Sequence, residues 1–346
     1  MGCQILGCWC LGCVSKFEGL ISVFSVFVLR ARLEDESRRE AREHARFYLR
    51  GREASTIATY NTEYRKLIKF CRDSGKCVFS LTERDMVSFV IWRFKRGVSE
   101  SQLKQGFAVV SLLCEVCGFE SPAKSPVVSK VKMAVIKNVN KGRKKVQRIG
   151  MTKNILKIIM KACYKEDFKK VMPERRRFLM MKIFCFLGVK RFSDIQKIKR
   201  KNVEFKEDGR VRVWMEETKT DSKKEGAEFV LTKGKIRGVS VTRLVKWYFE
   251  SLGFIPSEAF IFPVFRWGKP VWKQAVSYDS SRRQLNRIRE ELSLGKITWH
   301  SGRIGAATEA SKKKVGRNVI MKSGGWKSSA VDTYMDAGVR VGYALL

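Results

Sequence analysis

HSGRIGAATEASKKKVGRNVIMKSGGWKSSAVDTYM, residues 300–335, holds one of only two histidines in a chain of 346 residues. His300 stands three residues before Arg303, a helical pattern follows, and the stretch closes on Gly324-Gly325-Trp326 and on Tyr334. Singly these residues are ordinary. An arginine beside an apolar helix is a solvated cap or an ion-pair partner, a Gly-Gly-Trp is a turn with a packed aromatic, and a tyrosine near the carboxyl end carries no chemistry. Their meaning depends on what precedes them.

Upstream, apolar residues at helical spacing predict helices in TKNILKIIMKACYKEDF (152–168), PERRRFLMMKIFCFLG (173–188), SVTRLVKWYFESLGF (240–254) and SYDSSRRQLNRIREELSL (277–294). Between the second and third of these, RVRVWMEE and AEFVLT alternate apolar with polar, and TKTDSKKEG joins them, which predicts an antiparallel hairpin. Residues 151–346 are therefore expected to form a mainly α domain with a small antiparallel β-sheet. NKGRKKVQRIG, residues 140–150, is basic and free of acid and reads as a linker.

Before the linker, residues 51–139 carry four helical patterns. The first starts on hydroxyl residues suited to a cap in STIATYNTEYRKLIKFCRDSG, with Tyr60, Tyr64, Leu67, Ile68 and Cys71 on one face. The second has Thr82 as its cap and Met86, Phe89, Val90 and Phe94 as its apolar face. SESQLKQGFAVVSLLCEVCGF closes at Gly118, and SPAKSPVVSKVKMAVIKNV follows two proline breaks. Together they predict a compact helical module with a basic surface.

Residues 1–50 differ. The apolar run Leu20 to Leu29 is shorter than the ~20 residues a membrane span needs. Basic residues follow that run rather than precede it, and Leu6 stands where myristoylation wants a hydroxyl, so signal-peptide and lipidation readings fail. The segment is an appendage of unknown role, continuing into a charged helix that holds His44. Among ten cysteines, four crowd the amino terminus and six are scattered among apolar residues, which reads as an intracellular protein with reduced thiols. Cys114 and Cys117 form a CxxC with no second pair or histidine nearby, so helix core is preferred to zinc.

Lysine and arginine number 71 against 34 acidic residues, a formal charge of +37. So one-sided a surface repels itself unless it meets a polyanion, and nucleic acid is the leading partner. An anionic membrane competes, but basic residues spread along the whole chain at 44% hydrophobic content describe globular domains better.

The ordered set of Gly188 and Arg191 in LGVKRFSDI, a lysine in TKTDSKKEG, His300 and Arg303 in HSGR, GGW, and Tyr334 in VDTYM resembles the tyrosine recombinases, the phage-integrase family, over about residues 55–335. The resemblance implies a helical core-binding domain and a catalytic domain that together clamp duplex DNA, and strand cleavage and rejoining through a 3′-phosphotyrosine. It implies that Arg191 and Arg303 fork onto the non-bridging phosphate oxygens, since guanidinium presents paired donors. Tyr334 is the implied nucleophile, His300 handles the tyrosine proton, and Trp326 gives an indole N–H where many relatives carry a second histidine. Lys219 donates a proton to the leaving 5′-oxygen, with Lys223 and Lys224 in the same turn and Lys190 beside Arg191 as rivals. Asp194 orients rather than reacts. Tyr343 lies too far beyond Trp326 to match the family spacing.

With side chains as the cations, no metal or other cofactor is expected. The implied partners are double-stranded DNA and further copies of the chain in a synaptic tetramer, without a membrane. Only residues 335–346 follow Tyr334, so a short tail and a weaker or different assembly are expected. RFSDIQ and GGWKSS look closest to recombinases of eukaryotic mobile elements of the DIRS-like or Crypton kind, which implies a nuclear location; otherwise the chain is intracellular. A catalytically inactive DNA-binding descendant and a topoisomerase of the related class are the alternatives.

Overall fold

A computed structural model of the chain describes residues 54–78, 80–117, 120–142, 149–218, 221, 225–232 and 234–335. The chain divides into two compact units, Met1–Lys145 and Val146–Leu346. The appendage with His44 lies outside the described residues, as do positions 143–148 of the linker.

The first unit holds α1 (Ala54–Asp73), α2 (Glu83–Lys95), α3 (Glu100–Cys117) and α4 (Pro126–Asn140). Local chemistry sets two of these starts. Thr82 and Asp85 form a reciprocal capping box on α2, with the Asp85 carboxylate accepting the Thr82 N–H at 3.0 Å. Ser125 caps α4, whose first position is a proline that has no N–H to leave unpaired. Ser55 falls inside α1 rather than ahead of it. The four helices enclose a core that includes Tyr64, Leu67, Phe89, Val90 and Leu113, with Cys114 packed against it.

Phe94, expected on the apolar face of α2, is 42% exposed. The inward position is Arg93, four residues after Phe89, and its guanidinium hydrogen-bonds the buried carboxylate of Glu63 on α1. Lys66 Nζ holds the other oxygen of that carboxylate at 2.7 Å.

The second unit is built around α6 (Pro173–Leu187), which follows α5 (Lys153–Cys163). Every residue from Arg176 to Phe186 is buried, as befits a helix that is apolar on nearly all sides. Around it pack α5, α7 (Phe192–Gln196), α8 (Val241–Glu250), α9 (Tyr278–Glu291) and α10 (Ser301–Lys312). The chain then finishes its described part with α11 (Arg317–Gly324) and α12 (Asp332–Met335). Thr152, Ser240 and Ser277 each cap the helix that follows them.

The expected hairpin is present as β2 (Val211–Met215) paired with β3 (Ala227–Leu231), in register Val213 opposite Phe229. Val211, Val213 and Met215 face the core while Arg212 and Trp214 face out, which is the alternation the sequence displays. Among the described residues, five strands go beyond the expected hairpin. β1 (Val203–Phe205) adds an edge to β2, while β4 (Lys235–Ile236) with β5 (Val239–Ser240), and β6 (Pro263–Arg266) with β7 (Lys269–Ala275), form two further antiparallel ribbons. Among the described residues no helix is long and apolar enough to cross a membrane.

Candidate active site

The turn after α6 delivers the first site residue. The helix ends in a Schellman-type cap: the Lys190 N–H reaches Cys185 O at 3.2 Å and the Val189 N–H reaches Phe186 O at 3.3 Å. The left-handed position of such a cap favours glycine, yet Val189 occupies it at φ +55°. A β-branched residue there is strained; the turn presents the Val189 carbonyl to Arg303 and leads to Arg191, the N-cap of α7. Asp194, buried one turn on, accepts the Arg191 backbone N–H at 3.0 Å and lies 3.6 Å from the Arg191 guanidinium. It holds Arg191 at both its backbone and its guanidinium.

Arg303, on the first turn of α10, is fully buried. Its Nη1 donates to Val189 O at 3.2 Å, and its guanidinium lies 3.7 Å from the ring centre of Trp326. Nε and Nη2 are buried with no acceptor among the described residues. Buried donors are nearly always paired, so these two can take an acceptor that the described residues do not supply. Burial, and after it the neighbouring Arg191 charge, pushes the Arg303 pKa down to about 10, which leaves it cationic at neutral pH.

The Gly-Gly-Trp turn has two separate physical reasons for its glycines. Gly325 ends α11 at φ +66°, in the left-handed region where a side chain is strained. A Cβ on Gly324 would stand 1.9 Å from the Trp326 ring. Both are needed to fold the indole back over Arg303.

Tyr334 is fixed on α12 from three sides. Thr308 Oγ1 donates to its carbonyl at 2.8 Å. Arg317 grips Asp332 through Nε at 2.7 Å and Nη2 at 2.9 Å. Val331, Ile320 and Ala307 form a small buried cluster beneath it. The phenol so placed lies 3.0 Å from His300 Nε2, and its ring is 5.9 Å from that of Trp326.

Arg191, Asp194, His300, Arg303, Trp326 and Tyr334 therefore form one continuous cluster. Lys219 lies outside the described residues, as do Lys223 and Lys224. The next strand in the sequence, β3, passes beside the site, since Phe229 sits 5.4 Å below the Lys190 ammonium.

Lys190 itself is buried, donates to Ser323 O at 2.8 Å, and ties the Arg191 turn to the end of α11. Burial pushes its pKa down to about 8. Lys182, wholly buried in α6, donates at 3.2 Å to Thr298 O, two residues before His300, and lies 4.1 Å from the Trp299 ring. Sequence pattern alone does not give this lysine a role. Its signal is that it is the only charge in the run Phe178–Leu187. The grip of Arg317 on Asp332 has no local signal at all.

No protein-family model matches the chain. Recombinase cre of Escherichia phage P1 is 21% identical to it over 314 residues, 84% of this chain and 87% of that protein. A lambda integrase dimer bound to a COC′ core site superposes with a TM-score of 0.52 at 15% identity, covering 85% of this chain and 75% of that one. The XerH site-specific recombinase bound to a palindromic difH substrate, in a post-cleavage complex, gives 0.57 at 11% identity over 95% and 97%. The chain shares their fold.

Proposed function

We infer that this chain is a tyrosine recombinase, an enzyme that cuts and rejoins double-stranded DNA through a covalent phosphotyrosine. The observation that carries the reading is the Tyr334 hydroxyl held 3.0 Å from His300 Nε2, beside an Arg303 whose two remaining donors are buried and unpaired. A phosphodiester supplies the missing acceptors. Its non-bridging oxygens take the paired donors of Arg303 and Arg191, which stabilise the charge that builds as the phosphorus becomes five-coordinate.

The Tyr334 oxygen attacks phosphorus as His300 receives its proton. The bond from phosphorus to the 5′-oxygen breaks, and Lys219, between β2 and β3 in the sequence, protonates that oxygen. The products are a 3′-phosphotyrosine and a free 5′-hydroxyl. Attack by a 5′-hydroxyl of another strand reverses each step and returns the tyrosine, so no high-energy cofactor is consumed. Exchange between two duplex sites cuts four strands, and one protomer per cut makes the working assembly a tetramer on DNA.

Residues 51–139 serve in this account as the core-binding domain and residues 140–150 as its linker to the catalytic domain, supported by the chain's charge of +37. Residence in a eukaryotic mobile element, with the nuclear location that entails, is supported by the RFSDIQ and GGWKSS motifs.

The test is incubation with nicked duplexes whose cleaved end diffuses away, read on denaturing gels. A protein–DNA adduct is expected; its absence over a wide range of sites would leave the DNA-binding descendant. Lys219→Ala should be slow on ordinary DNA and near wild type when sulfur replaces the bridging 5′-oxygen, because a thiolate leaves without a proton. Rescue of Lys223→Ala or Lys224→Ala instead would move the acid to that lysine.

A further inference from the structure

The ribbon β6–β7 has no part in the chemistry, yet its tip is built against the interest of the fold. Arg266 pairs with Lys269, so Trp267 and Gly268 form a two-residue turn, with φ +53° and +75°. Asparagine or aspartate followed by glycine suits such a turn, because the first position is left-handed. Trp267 fills it with a bulky side chain that is 99% exposed, contributing no packing in return. An exposed indole on a strained backbone is surface held out for a partner.

Charge selects the partner. From Ala259 to Tyr278 the chain has no carboxylate, while Arg266, Lys269 and Lys273 on the ribbon are exposed. The base of the ribbon is fixed to the site: Gln196, at the end of the helix that carries Asp194, donates to Val276 O at 2.7 Å, and Arg177 of α6 donates to Pro263 O at 2.5 Å. The tip is thus an apolar wedge ringed by cations on a rigid base.

We propose that the β6–β7 ribbon is a second DNA contact, in which Trp267 packs against the bases of the duplex while Arg266, Lys269 and Lys273 hold its phosphates. This rests on the reading that the chain binds duplex DNA. Stacking on an aromatic ring tolerates any base, so the contact adds affinity and local unstacking rather than sequence choice.

The experiment uses the full chain with Trp267→Asn, Trp267→Phe and Lys269→Ala. It measures duplex affinity against salt, and the fluorescence of 2-aminopurine placed across the site. Trp267→Asn should bind duplex roughly tenfold more weakly with an unchanged salt slope and lose the unstacking signal. Its melting temperature should be equal or higher, since asparagine suits the left-handed turn. Trp267→Phe should stay within about threefold of wild type, and Lys269→Ala should lower the salt slope by about one. Wild-type affinity and fluorescence in Trp267→Asn would overturn the proposal. So would a defect confined to self-association without DNA, measured by sedimentation, which would make the tip a protein contact. Failure of the wild-type chain to bind any duplex would instead remove the underlying DNA reading, and this contact with it.

Discussion

The two units treat buried positive charge in opposite ways. In the helical unit Arg93 is buried against the Glu63 carboxylate, and the pair is closed. In the second unit Arg176, Arg177, Lys182, Lys190 and Arg303 are all buried, and none forms an ion pair among the described residues. They donate instead to the carbonyls of Ser251, Pro263, Thr298, Ser323 and Val189. Aromatic faces add to this, with Phe168, Phe265, Trp299, Phe229 and Trp326 beside the same five groups. A carbonyl or a ring orients a cation without neutralising it. The first unit pairs its buried arginine with a carboxylate, whereas the second orients these five buried cations with carbonyls and rings.

Breaking the closed pair should have the largest effect. Glu63→Gln strands Arg93 in the core and should destabilise the helical unit by about 3–5 kcal/mol, while the double change Glu63→Leu with Arg93→Met should be close to neutral. Denaturant unfolding of the three proteins measures both. If the single and double variants lose the same stability, the pair is not what holds that position.

An open cation should behave in reverse. Burial pushes the Lys182 pKa from 10.5 down to about 8. The folded state therefore binds fewer protons than the unfolded state between pH 8 and 10.5, and this group's contribution to stability rises with pH across that window. Lys182→Met should be more stable than wild type below pH 8, by on the order of 3 kcal/mol if repacking is good. That advantage should shrink towards pH 10.5. Taking the difference between the two proteins cancels the buried thiol of Cys163, whose raised pKa acts the other way. A gap independent of pH would contradict the depressed pKa.

Arg303→Ala should slow strand cleavage by roughly 10²-fold or more, the loss of a preorganised donor to developing charge. Single-turnover cleavage measures this, and a wild-type rate would return Arg303 to a structural role. The smallest effect expected is that of a simple anion. Inorganic phosphate in excess should raise the melting temperature of the second unit by about 2–4 °C, equivalent to about 1 kcal/mol, and leave the helical unit unmoved.

How much of this was legible in the sequence follows from how local each cause is. Thr82, Ser125 and Thr152 announce their helices because a cap acts within one turn. The alternation of Val211, Val213 and Met215 announces β2 because the pleat repeats every two residues. The β6–β7 ribbon was missed because PVFRWGKPVWKQA alternates poorly, carries two prolines and turns on Trp-Gly. Phe94 was misplaced because Arg93 took the inward position, which depends on Glu63 thirty residues away. Six residues that the structure brings together could be named from their order in the chain. That Arg303 lies over the ring of Trp326, and that Lys190 is held by Phe229 and Ser323, depends on contacts between distant segments and leaves no local trace.

The central claim is that Tyr334 is the nucleophile of this open, positive site. The most direct measurement is to trap the adduct on a nicked duplex, digest protein and DNA, and identify the modified peptide by mass spectrometry. The expected result is one phosphodeoxynucleotide on Tyr334, with Tyr334→Phe yielding no adduct while binding the same duplex as tightly as wild type. A modified residue other than Tyr334, or an adduct that persists in Tyr334→Phe, would contradict it.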